Sequence, residues 1–108
     1  NLASINLARN KLVSVDLTPL SSCPRLHDLD LSGNQLRSID LSPLSVCSNL
    51  TYLHLSNNQF ESIDLSPLSA CKKLELVDLV NNPLQDIDRS QLQENVIVYE
   101  EEEDYERY

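Results

Sequence analysis

Three residues whose side chains can act in acid–base or metal chemistry recur at one spacing along this chain. They are Asp30, His54 and Asp78, and each lies 24 residues from the next. Imidazole and carboxylate groups are common zinc ligands, but three ligands in a straight row do not converge as tetrahedral zinc requires. We therefore predict no metal and no cofactor, and we expect His54 to lie between two carboxylates in an electrostatic row.

A second set of candidate residues precedes the first by two positions and consists of Asp28, Tyr52 and Leu76. An aromatic residue beside apolar residues and ringed by acids is typical of a protein contact surface. We expect Leu76 and Val80 to be exposed toward the C-terminal end. The alternative is that all these residues are solvated on the polar face of a sheet. The predicted partner-binding residues are Asp28, Asp30, Tyr52, His54, Leu76 and Asp78.

The sequence offers little support for catalysis. A glycine-rich phosphate loop is excluded because the chain has one glycine, Gly33. There is no nucleophile elbow, and no third group is placed to orient His54 toward Ser32 or Ser56. We predict that the protein is not an enzyme.

A third periodic set is a row of aspartates. Four like charges in a stack repel one another unless they are compensated. In the first three units the Asp lies two residues before a Ser or Thr that precedes proline, so we expect its carboxylate to accept a hydrogen bond from the turn backbone. A divalent-cation ladder is the alternative, because oxygen-only ligands suit calcium. The row consists of Asp16, Asp40, Asp64 and Asp88.

The 24-residue spacing extends through most of the chain and predicts the elements that position these side chains. A fixed period between 20 and 50 residues indicates one supersecondary unit stacked on copies of itself. In Leu29-Asp30-Leu31 and Leu53-His54-Leu55 apolar and polar residues alternate, as in a half-buried strand. A periodic asparagine follows each strand, and we expect its amide to bond neighbouring backbone groups. These asparagines are Asn10, Asn34, Asn58 and Asn82.

The second half of each period predicts a short helix. Thr18-Pro19, Ser42-Pro43 and Ser66-Pro67 each place a capping residue before a proline that suits the first helical position. About five residues remain before the next strand, so we expect a single 3₁₀ or α turn.

The first half of each period carries a family resemblance. The third unit contains Leu50-x-x-Leu53-x-Leu55-x-x-Asn58-x-Phe60, which resembles the leucine-rich repeat consensus L-x-x-L-x-L-x-x-N-x-L. The other three units match it in register, over residues 1 to about 92. The resemblance implies an α/β solenoid: a horseshoe arc with a parallel β-sheet on its concave side and short 3₁₀ or α turns on its convex side. It also implies that the six predicted binding residues face the concave sheet.

Net charge and hydropathy limit the classes of partner that the chain can bind. The formal net charge of −9 disfavours binding to nucleic acid through phosphates. No apolar run approaches the length of a membrane span, so we predict no membrane partner. A protein partner of basic or mixed charge fits the acids around Tyr52.

Three cysteines, Cys23, Cys47 and Cys71, occupy one position of successive units. Their odd number and their repeated apolar slot favour reduced thiols that pack as small hydrophobic side chains. Unpaired cysteines favour a cytoplasmic location. Secretion stays open because Asn49-Leu50-Thr51 is a glycosylation sequon.

Both ends of the chain depart from the pattern. The chain opens at Asn1-Leu2 with no polar cap, so we expect a fragment, or an edge that a partner covers. Residues 96–99 are β-branched and aromatic and predict a last, capping strand. The predicted domain therefore spans residues 1–99, as four repeats and this strand. Residues 100–108 form an acidic tail whose composition favours disorder; its alternative roles are tyrosine modification or competition for a basic partner.

Together these patterns predict a non-catalytic protein-interaction module that binds a partner through its concave sheet. A structural oligomer, assembled through the uncapped N-terminal edge, is the first alternative. A divalent-cation-binding repeat is the second.

Overall fold

The structure, a computed structural model, describes residues 3–106 of the chain. The predicted repeat positions Asn1 and Leu2, and the tail residues Arg107 and Tyr108, lie outside the described residues. Five short strands form one open parallel sheet in chain order, and four 3₁₀ helices accompany them. The strands are β1 (Ser4–Asn6), β2 (Asp28–Asp30), β3 (Tyr52–His54), β4 (Leu76–Asp78) and β5 (Ile97–Tyr99), and the helices are η1 (Thr18–Ser22), η2 (Ser42–Val46), η3 (Ser66–Ala70) and η4 (Glu102–Glu106).

Each coil of the solenoid buries its leucines against the next coil. The middle residue of each of the three inner strands, Leu29, Leu53 or Val77, is fully buried. Its two neighbours on the strand point to the opposite face, because side chains alternate along a strand. Phe60, which takes the place of a repeat leucine, is also fully buried. The leucine rows thus form one continuous core, and every polar strand position is directed to the concave side.

The convex side consists of 3₁₀ turns, as the short second half of each period predicts. Proline lies in the first turn of η1, η2 and η3, but Ser or Thr is not the capping residue. That expectation is wrong because the aspartate two residues earlier provides the acceptor. The N–H of Ser42 donates to Oδ1 of Asp40 at 2.9 Å. The same contact is made by Asp16 with Thr18, Asp64 with Ser66, and Asp88 with Ser90.

These contacts explain how the aspartate row is tolerated. Hydrogen bonds from the backbone and then the side chain of Ser42 hold the pKa of Asp40 below its usual range. Ser66 does the same for the pKa of Asp64. Among residues 3–106, no three acidic, histidine or cysteine side chains form a cluster that could hold a metal ion. The carboxylates of this row therefore act as backbone acceptors, as expected.

The periodic asparagines link each coil to the one before it. The side-chain amide of Asn58 donates to the carbonyl of Leu55 in its own coil and to that of Leu31 in the preceding coil, both at 3.1 Å. Its Oδ1 accepts the N–H of Leu36 at 3.1 Å. Asn34 and Asn82 make equivalent contacts. The prediction of buried amides bonded to the neighbouring backbone is confirmed for Asn34 and Asn58, whereas Asn82 is partly buried and Asn10 is exposed.

The cysteines also follow the prediction. All three thiols are free; Cys47 and Cys71 are fully buried, and Cys23 is partly exposed. The thiol of Cys71 lies 3.4 Å from the carbonyl oxygen of Leu44 in the preceding coil. Burial raises the pKa of the Cys71 thiol to about 11. A buried thiol with a raised pKa is unreactive, so these side chains serve as packing.

The two ends of the sheet differ. At the C-terminal end, β5 pairs with β4 as the predicted capping strand, and Val98 is buried. At the N-terminal end, β1 is an edge, and Leu7 and Val13 of the first coil are exposed by 37% and 68%. None of the helices within residues 3–106 is long and apolar enough to cross a membrane.

Candidate partner-binding face

The strand register places the candidate residues in two adjacent rows on the concave face. Asp28, Tyr52 and Leu76 are paired across β2, β3 and β4, and Ile97 of β5 extends their row. The second row contains Asp30, His54 and Asp78 and ends at Tyr99. The sequence spacing thus predicts both rows correctly, but the side chains do not pair along them as expected.

The centre of the face is formed by Asp28, Tyr52 and His54, which we call the aromatic cluster. The rings of Tyr52 and His54 are stacked, with centroids 6.4 Å apart and planes at 24°. The imidazole Nε2 of His54 lies 3.5 Å from Oδ1 of Asp28 on the neighbouring strand. Tyr52 is 37% exposed. The cluster therefore presents a positioned aromatic surface with a carboxylate at its edge.

Asp30 does not take part in the predicted electrostatic row. Its Oδ1 accepts hydrogen bonds from the N–H of Ser32 at 2.9 Å and from the hydroxyl of Ser32 at 2.6 Å. Asn6, one strand earlier, accepts the N–H of Ala8 in the same way. The strand register places His54 between Asp30 and Asp78, as expected. Its imidazole nevertheless pairs with Asp28, because Asp at a strand end bonds the backbone two residues on.

Asp78 is held from two directions. Its Oδ1 accepts the N–H of Val80 at 3.1 Å, and its carboxylate accepts the phenol hydroxyl of Tyr105, at 2.8 Å to Oδ2. Only 9% of Asp78 is exposed. Tyr105 lies in η4, so the interpretation of a disordered tail is wrong for residues 102–106.

The apolar part of the face is smaller than predicted. Leu76 is half-buried, and Val80 is buried with 1% of its surface exposed. The prediction of exposure is therefore wrong for Val80. Sequence reasoning also missed the contact of Tyr105 with Asp78. The sequence gives little indication of this contact, since Tyr105 has no equivalent in the other repeats and lies among acidic residues.

Ser32 and Ser56, the two serines considered as nucleophiles, are hydrogen-bonded or buried. The hydroxyl proton of Ser32 is directed to Asp30, and Ser56 is only 7% exposed. The groups that the face leaves at least partly exposed are an aromatic pair, the carboxylates of Asp28 and Asp30, and Leu76.

Comparison with known proteins agrees with this architecture. A family model described as "Leucine rich repeat" matches residues 1–60, and a second one, for two copies of the repeat, matches residues 48–94. The chain belongs to the leucine-rich repeat family. Domains of this family generally mediate protein–protein interaction, and they are typically non-catalytic binding modules. No curated protein matches the chain.

Three solved structures of leucine-rich repeat proteins are similar to the chain. An internalin C2 from Listeria monocytogenes is 30% identical over 81% of this chain and 36% of its own, with a TM-score of 0.60. The internalin InlF from the same organism is 28% identical over 79% of this chain and 23% of its own, with a TM-score of 0.62. TLR13 in its complex with ssRNA13 is 32% identical over 80% of this chain and 12% of its own, with a TM-score of 0.69.

The chain spans about a third or less of the length of each of these proteins. The comparison therefore identifies the repeat family and its fold. It leaves the partner to be inferred from the residues of the concave face.

Proposed function

We propose that this leucine-rich repeat domain binds a protein partner through the concave face, with the aromatic cluster as the main contact. The observation that carries the proposal is the stacked Tyr52–His54 pair with Asp28 at its edge. Exposed aromatic side chains that are already fixed in place provide contact area with little loss of conformational entropy. The neighbouring Leu76 adds apolar area.

The charge of the face favours a basic or mixed partner. Asp28 and Asp30 are both partly exposed beside the aromatic pair, and the chain has a net charge of −9. Lysine or arginine side chains of a partner would pair with these carboxylates. The TLR13 structure is a complex with single-stranded RNA, but the acidic face works against phosphate contacts here. The proposed ligand is therefore a protein.

An affinity capture with quantitative mass spectrometry tests the proposal. The wild type is compared with a Tyr52→Ala/His54→Ala/Asp28→Ala variant. The matched control is Gln35→Ala/Ser62→Ala/Gln85→Ala, which changes three exposed residues outside the strands. Circular dichroism first establishes that both variants fold.

We expect a partner that is retained by the wild type and the control and is lost by the cluster variant. Truncation of an interface anchor commonly costs about 2 kcal/mol or more, which is roughly a thirtyfold loss of affinity. Identical protein lists for all three forms would contradict the proposal.

Self-assembly is the second candidate, and the exposed first coil favours it. Among residues 3–106, β1 pairs only with β2, and Val13 of the first coil is 68% exposed. An exposed edge with apolar residues is a template for pairing with another chain. Light scattering with the wild type and Val13→Glu tests this alternative. A monomer at all concentrations would exclude assembly, whereas a dimer that Val13→Glu dissociates would support it.

The free cysteines support a reducing compartment such as the cytoplasm. Cys47 and Cys71 are buried without a disulfide, which fits a reduced interior. Differential alkylation of protein from its native source measures the redox state. Oxidised cysteines in a folded protein would contradict this assignment.

A further inference from the structure

The C-terminal segment returns over the concave face. Two backbone N–H groups, of Glu100 and Glu101, donate to Oδ2 of Asp104 at 2.9 and 3.1 Å. These bonds join the start of the segment to η4, and η4 carries Tyr105 back to the sheet. Glu102 reaches the side chain of Asn81 at 3.4 Å. Residues 100–106 therefore occupy the C-terminal end of the face that the proposed partner would use.

Tyr105 is the side chain of this segment that fits the sheet closely. Its hydroxyl donates to the carboxylate of Asp78, and its ring meets that of Tyr99 edge to face, with centroids 4.9 Å apart at 86°. The hydroxyl of Ser56 lies in the same contact. We call Ser56, Asp78 and Tyr99 the phenol subsite. It offers an acceptor for a hydroxyl and an aromatic surface for a ring, which together match a tyrosine side chain.

The residues around Tyr105 match the face poorly in charge. Residues 100–106 contain six acidic residues and no basic residue. They lie on a face that already carries Asp28, Asp30 and Asp78. An ion pair between Glu100 and Arg89 offsets only part of this repulsion. The segment thus combines a fitting phenol with flanks that like-charge repulsion destabilises.

We propose that the phenol subsite recognises a tyrosine of the protein partner, and that residues 100–106 are an intramolecular occupant which the partner displaces. The inference rests on the proposed function and specifies the chemistry of the ligand: a tyrosine flanked by lysine or arginine. The tyrosine of such a segment makes the same contacts as Tyr105. Its basic neighbours attract the aspartates of the face, which the acidic neighbours of Tyr105 repel. Register connects the subsite directly to the aromatic cluster, because Asp78 is paired with His54.

Fluorescence anisotropy with short synthetic peptides tests the proposal on the full chain. The first peptide carries one tyrosine between two lysines on each side. The second has phenylalanine in place of tyrosine, and the third has glutamates in place of the lysines. The proteins are the wild type and Tyr105→Phe, which removes only a hydroxyl from a residue outside the repeat coils.

We expect Tyr105→Phe to bind the lysine–tyrosine peptide about tenfold more tightly than the wild type does. A hydrogen bond to a charged group contributes roughly 1.5–3 kcal/mol, and its loss from the segment lowers the competition. The phenylalanine and glutamate peptides are each expected to bind about tenfold more weakly than the lysine–tyrosine peptide. Proton NMR should show loss of the Tyr99–Tyr105 ring contact when that peptide binds the wild type.

Equal affinity for the tyrosine and phenylalanine peptides would overturn the inference. So would binding that leaves the Tyr99–Tyr105 contact intact. These outcomes are separate from failure of the proposed function, since affinity capture with the aromatic-cluster variant involves neither Tyr105 nor Asp78. A partner lost by that variant, together with peptides that are not discriminated, would refute the phenol subsite and leave the binding face in place.

Discussion

Single residues in this domain are often constrained by backbone conformation. One position of the first four coils has a positive φ angle: 62° at Arg9, 70° at Gly33, 57° at Asn57 and 61° at Asn81. The chain turns there, immediately before the periodic asparagine. Glycine and asparagine tolerate this left-handed region better than other residues. The only glycine of the chain therefore lies where the turn requires it.

This constraint predicts how Gly33 tolerates substitution. A Cβ added to Gly33 would lie 3.1 Å from Cγ of Arg9, so the Arg9 side chain would have to shift by a few tenths of an ångström. We expect Gly33→Asn to be nearly neutral, whereas Gly33→Val lowers the free energy of unfolding by roughly 2 kcal/mol or more, since a branched side chain is strained at this φ. Urea denaturation followed by circular dichroism measures both. Equal destabilisation by the two substitutions would contradict the backbone explanation.

For single residues, the sequence predicts the position of a side chain on the sheet better than it predicts the side chain with which it pairs. The 24-residue spacing places Asp30, His54 and Asp78 in one row, but it does not indicate which carboxylate His54 meets. Asp30 is engaged locally by Ser32, and Asp78 by Tyr105. Asp28 therefore meets the imidazole. Hydrogen bonds to Ser32 and Tyr105 thus determine which carboxylate His54 meets, and the 24-residue period does not predict these bonds.

The asparagine row connects the repeating elements, because its side chains bond the backbone of neighbouring coils. Asn58 is 7% exposed, and its side chain makes hydrogen bonds with four backbone groups. The strand ends there, so these backbone groups have no partner within a strand. The buried amide provides one, and neighbouring coils are thereby fixed at a constant distance.

Replacement of this amide should therefore destabilise the whole domain. Asn58→Ala leaves several buried donors and acceptors without partners, and each costs roughly 1–3 kcal/mol. We expect a loss of about 3 kcal/mol or more in the free energy of unfolding, measured by urea denaturation. Gln59→Ala, an adjacent exposed position, should change it by less than about 0.5 kcal/mol. Similar values for the two variants would show that the asparagine row is not essential.

Elements that repeat are predicted more fully by the sequence than elements that occur once. The inner strands and three convex helices each recur in the pattern, so errors in one unit are corrected by the others. The strand β5 occurs once and is predicted by its β-branched and aromatic residues. Helix η4 was missed because its charged composition favours disorder, and its position depends on a tertiary contact between Tyr105 and Asp78.

For the whole molecule, the dominant physical property is its charge. A net charge of −9 on a chain of 108 residues produces a long-range attraction for a basic partner. We expect the association rate with such a partner to fall by roughly tenfold or more between low salt and 0.5 M salt, with little change in the dissociation rate. Surface plasmon resonance measures both rates. An association rate that does not vary with salt would contradict a basic partner.

The asparagine amides that reach a carbonyl 27 residues earlier also determine how the domain responds to force. A pull on the two ends loads all the links between coils in series, because each coil is bonded only to its neighbours, and the weakest link yields first. Extension should then proceed in steps of one 24-residue coil, each releasing roughly 80 Å of chain. A repeat domain of this kind yields gradually under tension, and a partner bound across several coils would hold them together.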